Sequence, residues 1–305
     1  PVLRRSSMPA DILEHLEREN LFLVPLDDKG EWFRYHRLFG DFLRRRLRST
    51  QPAIVPELYL RASRWYERQG MLDESIEYAL AGKDATRATK LLDEHAEAYV
   101  FDAQVSKLIR LASRLPEEEW CKFPRLCIYY AWALQFEYRF EAAESALVCA
   151  EAHLDSTMPT TRSPAAPFSA SQIAHHVRAV RVYIAVFRGE ADRAIELARA
   201  ALKALPEGAV DESRVVCGAV TLGLGIGHFH LGQTEAAYQA LQSALPLNQR
   251  DGNRYAALSC IYYLVRIDRL HGALDQALAN GRQGLSWIEQ WSRTGGRRGP
   301  LARVS

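Results

Sequence analysis

The chain repeats itself, and this constrains its fold more than any other feature. Five segments share one pattern: "YERQGMLDESIEYALAG", "FEYRFEAAESALVCA", "VFRGEADRAIELARAAL", "FHLGQTEAAYQALQSAL" and "RLHGALDQALANGRQGL". In each, a helical stretch ends at an anchor, and a second starts with a small residue five positions later. The anchors are Gly70, Tyr138, Gly189, Gly232 and Gly272; the small residues are Ser75, Ala143, Ala194, Ala237 and Ala277. Seven positions beyond these stand Gly82, Ala150, Ala201, Ala244 and Gly284. Seven before each anchor stand Ser63, Ala131, Val182, Gly225 and Val265. Small residues at these places let antiparallel helices approach closely. The last anchors are spaced by 43 and 40 residues. A helix pair of that length cannot bury its apolar face alone, so neighbours must stack. The expected fold is all-α, an α-solenoid of antiparallel helix pairs.

The wide gap between the first two anchors has room for one more pair, in "DATRATKLLDEHAEAYVF" and "QVSKLIRLASRLP". The segment 155–171, "DSTMPTTRSPAAPFSAS", lacks periodicity and reads as a mobile loop between repeats. The start of the chain differs. In "FLVPLDDKGEWFRYHRLFGDFLRRRL", Asp27-Asp28-Lys29-Gly30 is turn chemistry between an apolar run and an aromatic one. Leu38, Phe39, Phe42, Leu43 and Leu47 then recur at helical spacing. This predicts strands near 21–26 and 31–35, a hairpin feeding an amphipathic helix. A lone hairpin is marginal in water, and the stretch Pro9 to Arg18 is the nearest helix to cover it. The expected division is residues 1–50 as this opening module, 51–292 as the repeats and 293–305 as a disordered tail.

Composition excludes several classes. With 39 basic and 37 acidic residues among 305, the net charge of +2 does not mark a nucleic-acid binder. No apolar run approaches the length of a membrane span, and no signal peptide is evident. The five cysteines are odd in number and lack Cys-x-x-Cys spacing, so they read as reduced thiols in a cytoplasmic protein. The chain begins with Pro1, which reads as a fragment.

The repeats resemble tetratricopeptide repeats in a longer form. With the opening block, the resemblance narrows. "ENLFLVPLDDKGEWFRYHRLFGDFLRRRL", followed by "RASRWYERQGMLDESIEYALAGKDATRATKLLDEHAEAYV" and "LIRLASRLPEEEWCKFPRLCIYYAWALQFEYRFEAAESAL", resembles the MalT-like family of large ATP-dependent LuxR-type bacterial transcription regulators. The resemblance implies an ATPase, a winged-helix module, a helical-repeat sensor and a helix-turn-helix in that order. On it, the opening hairpin and basic helix are the end of the winged-helix module. Neither a Gly-x-x-x-x-Gly-Lys-Ser/Thr loop nor a LuxR-type helix-turn-helix signature is present. ATP or ADP and DNA are therefore expected to engage only the full-length protein. No cofactor is expected in this chain, and no catalytic residue can be assigned.

Candidate site residues are weighed against plainer roles. The resemblance gives His36 of "RYHRLF" a contact to ADP phosphate in the full-length protein; the plain reading is a helix-start histidine. "RRRLR", Arg44 to Arg48, reads as a solvated helix face rather than a phosphate contact. "LGLGIG", with Gly223, Gly225 and Gly227, mimics a dinucleotide loop, but no strand is expected before it, so close helix packing is the reading. His175-His176 and His228/His230 lack partners at metal-ligand spacing, so no metal is expected. In tetratricopeptide-like stacks the first helix of each pair lines the concave face. Counting from the anchors, that face carries Trp132, Gln135, Phe136, His176, Tyr183 and Phe187. Further on it carries Phe229, His230, Tyr262, Arg266 and Arg269. Aromatic platforms beside Arg, His and Gln suit a polar ligand with apolar faces, such as a sugar, or a peptide; the plain reading is packing between repeats. The leading expectation is a sensor fragment of a transcription activator. It binds a small-molecule inducer or a regulatory protein, with no membrane partner and with self-association in the full-length protein. The rival is a general tetratricopeptide-type scaffold, which has no reason to carry residues 20–46.

Overall fold

The computed structural model describes residues 2–4, 15, 19, 22–25, 32–102, 104–154, 168–205 and 212–295. Three short strands come first: β1 (Val2–Arg4), β2 (Leu23–Pro25) and β3 (Trp32–Tyr35). They form an antiparallel sheet in the order β1-β3-β2, with Leu3 opposite Phe33 and Val24 opposite Arg34. The two expected strands are present, and β1 joins them as a third. Pro25 lies in an edge strand, where its missing N–H is tolerated. Phe33 is buried beneath the sheet. The turn at Asp27–Gly30 and nearly all of the stretch Pro9 to Arg18 lie outside the described residues.

Helix α1 (Arg37–Thr50) follows directly, with Phe39 among the rings of Phe22, Tyr35 and Phe42. After a 3-10 turn, Pro52–Ile54, the helix pairs begin. The first is α2 (Val55–Arg68) with α3 (Leu72–Ala81), and the second α4 (Ala85–Phe101) with α5 (Val105–Ala112). The short α6 (Glu117–Trp120) precedes α7 (Pro124–Phe136), which pairs with α8 (Phe140–Glu151). Then come α9 (Ala170–Phe187) with α10 (Ala191–Lys203), and α11 (Glu212–His230) with α12 (Thr234–Arg250). The last pair is α13 (Arg254–Leu270) with α14 (Leu274–Gly295). The chain from Val55 onward is thus an all-α stack of antiparallel helix pairs. Most of the segment expected to be a loop, 155–167, and residues 296–305 of the expected tail lie outside the described residues. Residues 168–171 carry the start of α9, where Ser169 and Gln172 form a capping box. Residues 293–295 continue α14.

The repeated turn has one geometry. Gly70, Gly189, Gly232 and Gly272 adopt φ between 70° and 78°, and Tyr138 takes the same place with φ 58°. In all five, the next residue's N–H donates to the carbonyl five positions earlier, as from Arg139 to Leu134 at 2.9 Å and from Glu190 to Ala185 at 2.9 Å. This Schellman closure needs a left-handed residue, which explains why four anchors are glycine. The small residues do what their spacing implied. Ser75, Ala143, Ala194 and Ala237 have no exposed surface, nor do Ala131, Ala150 and Ala244.

"LGLGIG" is helical within α11, and no strand precedes it among the described residues. Its glycines serve three contacts. A Cβ on Gly223 would meet Val182 of α9 at 2.6 Å, one on Gly225 would meet Leu241 of α12 at 2.8 Å, and one on Gly227 would meet Ile195 of α10 at 3.0 Å. Side chains at these places would push the neighbouring helices away.

Polar ties join neighbouring helices, within pairs and between them. Asp93 accepts from the Leu126 N–H at 2.9 Å, and Arg181 bonds both carboxylate oxygens of Glu151, at 2.7 and 2.9 Å. Asn248 donates to the carbonyls of Gly218 and Ala244. One expectation is corrected. Cys121 and Cys149 are joined by a disulfide, with Cα atoms 5.3 Å apart, rather than standing as separate thiols. Antiparallel packing of α8 beside the turn before α7 brings together two residues 28 apart, and no local spacing motif announces such a pair. Cys127, Cys217 and Cys260 are free.

Candidate functional site

A cavity lies where the first helices of five pairs converge. Val100 and Phe101 of α4 and Tyr129, Trp132 and Phe136 of α7 form one side. His176 and Tyr183 of α9, Val216 and Ala219 of α11, and Asn253, Tyr255 and Ala256 at the start of α13 form the rest. No second helix of a pair contributes. Phe136 touches Tyr255 edge-on at 4.8 Å, although two helix pairs separate them in sequence. The stack therefore curls, and the cavity sits on the inside of the curve.

The cavity measures about 530 Å³ when its open mouth is counted, and its closed interior about 40 Å³. The inner part holds only a few waters. A ring-sized ligand must therefore part the side chains at the mouth, where Phe136 is half-buried and Tyr255 is 43% exposed.

The walls are aromatic. Trp132 meets Tyr183 edge-on at 5.0 Å and stacks on Phe136 at 6.1 Å. Phe168 lies flat on His176 at 4.9 Å, and Arg125 stands over the rings of Phe168 and Tyr129 while pairing with Glu97 at 2.9 Å. Among the described residues, no Asp, Glu, Lys or Arg lines the cavity. Its titratable groups are neutral at pH 7. Burial, with Glu97 nearby, pushes the Tyr129 hydroxyl far above its ordinary range; burial does the same to Tyr183, whose hydroxyl donates to the Ala219 carbonyl at 3.0 Å. Burial, reinforced by His175 and Arg125, lowers the His176 imidazole to about 4.

The residues expected on one continuous face separate into two groups. Trp132, Phe136, His176 and Tyr183 line the cavity, and Phe187 packs against Phe136 and Tyr183 behind it. Phe229, His230, Tyr262 and Arg266 gather further along α11 and α13. There the Arg266 guanidinium lies over Phe229 at 4.6 Å, Tyr262 at 5.5 Å and Tyr263 at 5.9 Å. Arg269 is exposed beyond them. Gln135 is fully buried and outside the cavity lining. Tyr129, Asn253 and Tyr255 were not foreseen. No shared offset from the anchors marks them: Tyr129 stands nine residues before Tyr138, and Tyr255 stands 17 before Gly272.

The remaining candidates have structural places. His36 is exposed at the start of α1, its N–H donating to the Phe22 carbonyl at 2.6 Å. Arg44 pairs with Asp41, and Arg48 donates to the Tyr59 hydroxyl at 3.0 Å. His228 bonds Gln233 through Nδ1 at 2.5 Å. Among the described residues, the metal-ligand types that converge are Glu117, Cys121 and Cys149, with ligand atoms within 4.8 Å of one another. No helix among the described residues is long and apolar enough to cross a membrane.

A three-stranded sheet and its helix, leading into curled helix pairs around an aromatic cavity, define a winged-helix and helical-repeat region. Residues 2–55 match a family model described as the MalT winged helix domain, and residues 175–295 match one described as the MalT-like TPR region. Curated relatives described as HTH-type transcriptional regulator MalT share 34% identity in Klebsiella pneumoniae (strain 342) and 33% in Cronobacter sakazakii (strain ATCC BAA-894), each over 194 residues and 64% of this chain. Residues 2–55 and 175–295 are thus similar to the winged-helix and TPR regions of MalT-type proteins, and the chain spans about a fifth of the length of the curated relatives it matches.

Proposed function

We propose that this chain is the sensing region of a MalT-like bacterial transcription activator, with the cavity between α4, α7, α9, α11 and α13 as its effector site. The observation that carries this reading is the absence of formal charge from an aromatic-walled cavity spanning five helix pairs. Such a lining disfavours charged ligands, which would lose hydration without a partner. It suits an uncharged ligand with apolar faces, as a sugar ring presents, or an uncharged peptide segment. A ligand parting Phe136 from Tyr255 binds one curvature of the stack better than another. That differential affinity is what an effector needs in order to shift a regulator between states. The exposed basket around Arg266 suits a regulatory protein's carboxylate or peptide chain. The chain has no catalytic role in this reading. In this reading ATP hydrolysis and DNA reading belong to other parts of the full-length protein, and His36 of this chain contacts nucleotide phosphate only in that context.

A thermal-shift screen with oligosaccharides, small neutral metabolites and candidate regulatory proteins tests the proposal. At least one ligand raises the melting temperature of the wild type. Phe136→Ala weakens its binding while leaving the unliganded chain folded, because that ring is half-buried at the mouth. Binding that is insensitive to Phe136→Ala and to Tyr255→Ala removes the cavity from consideration.

A further inference from the structure

We propose that Cys121 and Cys149 form a reversible redox site that clamps the turn before α7 to the last turn of α8. Three observations converge on it. First, the Cα atoms are 5.3 Å apart, within the usual span of a disulfide, so the fold holds the two cysteines at bonding range. Second, a non-covalent tie joins the same two places: the His153 Nε2–H, just past α8, donates to the Cys121 carbonyl at 2.7 Å. That hydrogen bond survives reduction and holds the two thiols in register for reclosure. Third, both sulfurs belong to half-buried residues, whereas Cys127 and Cys260 are buried; Cys217 is also half-buried but stands free, without a bridge. Burial raises the Cys127 thiol strongly and pushes the Cys260 thiol up to about 12, so neither competes as a nucleophile near pH 7.

The position gives the switch a consequence. Cys121 stands three residues ahead of Pro124, the first residue of α7. From that helix Tyr129, Trp132 and Phe136 enter the cavity. The closed bridge fixes how α7 begins relative to α8; the open dithiol leaves that to the His153 bond and apolar packing.

The chemistry balances with a low-molecular-weight disulfide as oxidant. One thiolate attacks the small disulfide, forming a mixed disulfide and expelling one small thiolate. The second cysteine's thiolate then attacks the mixed disulfide, forming the Cys121–Cys149 bond and expelling the other small thiolate. The two protein thiols lose two electrons and two protons, and the small disulfide becomes two thiols.

The test equilibrates the full chain in buffers of graded reduced-to-oxidised glutathione ratio, traps free thiols with a maleimide and maps the peptides. The expected result is one two-electron transition, with the 121–149 peptide pair as the bridged species and the other three cysteines trapped as thiols. The oxidised chain melts several degrees above the reduced one, since closing a loop restrains the unfolded chain. Cys121→Ser and Cys149→Ser each abolish the transition. Three results overturn the proposal: thiols that remain reduced in the most oxidising buffer, a bond that remains closed in the most reducing one, or a bridge to another cysteine. A purified chain that retains one zinc, lost on Glu117→Gln, also overturns it, because thiolates held by a metal are not a redox pair.

Discussion

The glycines of α11 allow a sharp test of the packing. Gly225→Ala introduces a methyl 2.8 Å from Leu241 Cγ and 3.0 Å from its Cδ2, with the Ala237 carbonyl at 3.4 Å. Leu241 has no exposed surface, and its Cγ is a branch point that moves only with the whole side chain. Alanine is preferred over glycine inside a helix by about 1 kcal/mol. Overpacking a tight contact costs roughly 1–3 kcal/mol. The net change at Gly225 is a loss of roughly 0–2 kcal/mol. Gly281 of α14 supplies the control, because a Cβ there meets nothing within 4 Å. Gly281→Ala keeps only the helix gain, about 1 kcal/mol. The two variants should therefore differ by roughly 1–3 kcal/mol, which is a melting gap on the order of 2–10 °C. Calorimetry reads the gap. Hydrogen exchange then locates the loss to α11 and α12, since a repeat array loosens locally. Equal stability of the two variants refutes the claim that "LGLGIG" exists for close helix contact.

Two further predictions concern single positions. Tyr138 occupies a left-handed turn with a 64% exposed ring, so Tyr138→Gly should hold or raise the melting temperature, while Tyr138→Val should lower stability by about 1 kcal/mol. His176 has its imidazole lowered to about 4 from 6.5, mainly by burial, so the folded state binds fewer protons than the unfolded one in that window. Its stabilising contribution is full above pH 6.5 and is lost as pH falls toward 4, by roughly 3 kcal/mol. His176→Phe keeps the stack on Phe168 and should flatten melting temperature against pH over that window; an unchanged acid slope places the titration elsewhere.

Much of the fold was legible because it rests on local chemistry repeated along the chain. Glycine at a left-handed helix end and alanine at a close crossing leave marks that any five copies align. Tyr138 aligned correctly despite being no glycine, since its neighbours Ala131 and Ala143 kept the spacing. β1 was not legible, because three residues, Val2–Arg4, are too few to show a period. The Cys121–Cys149 bond depends on how α8 lies beside the turn before α7, which is a tertiary fact. The cavity was half legible. Counting from anchors found Trp132, Phe136, His176 and Tyr183, but gives facing only to about one residue, and so misplaced Gln135. Tyr255 escaped because its role depends on the curl that brings α13 to α7, and curvature accumulates over repeats rather than residing in one.

The most direct test is the affinity of a ligand from the screen for the wild type and for Tyr255→Ala, measured by titration calorimetry. Tyr255 is half exposed at the mouth, so its truncation should leave the unliganded chain folded. The cavity reading predicts binding weakened about tenfold or more, the loss of one well-formed ring contact, with an unchanged unliganded melting temperature. Equal affinity in the two proteins, or no ligand for the wild type across the whole panel, contradicts it.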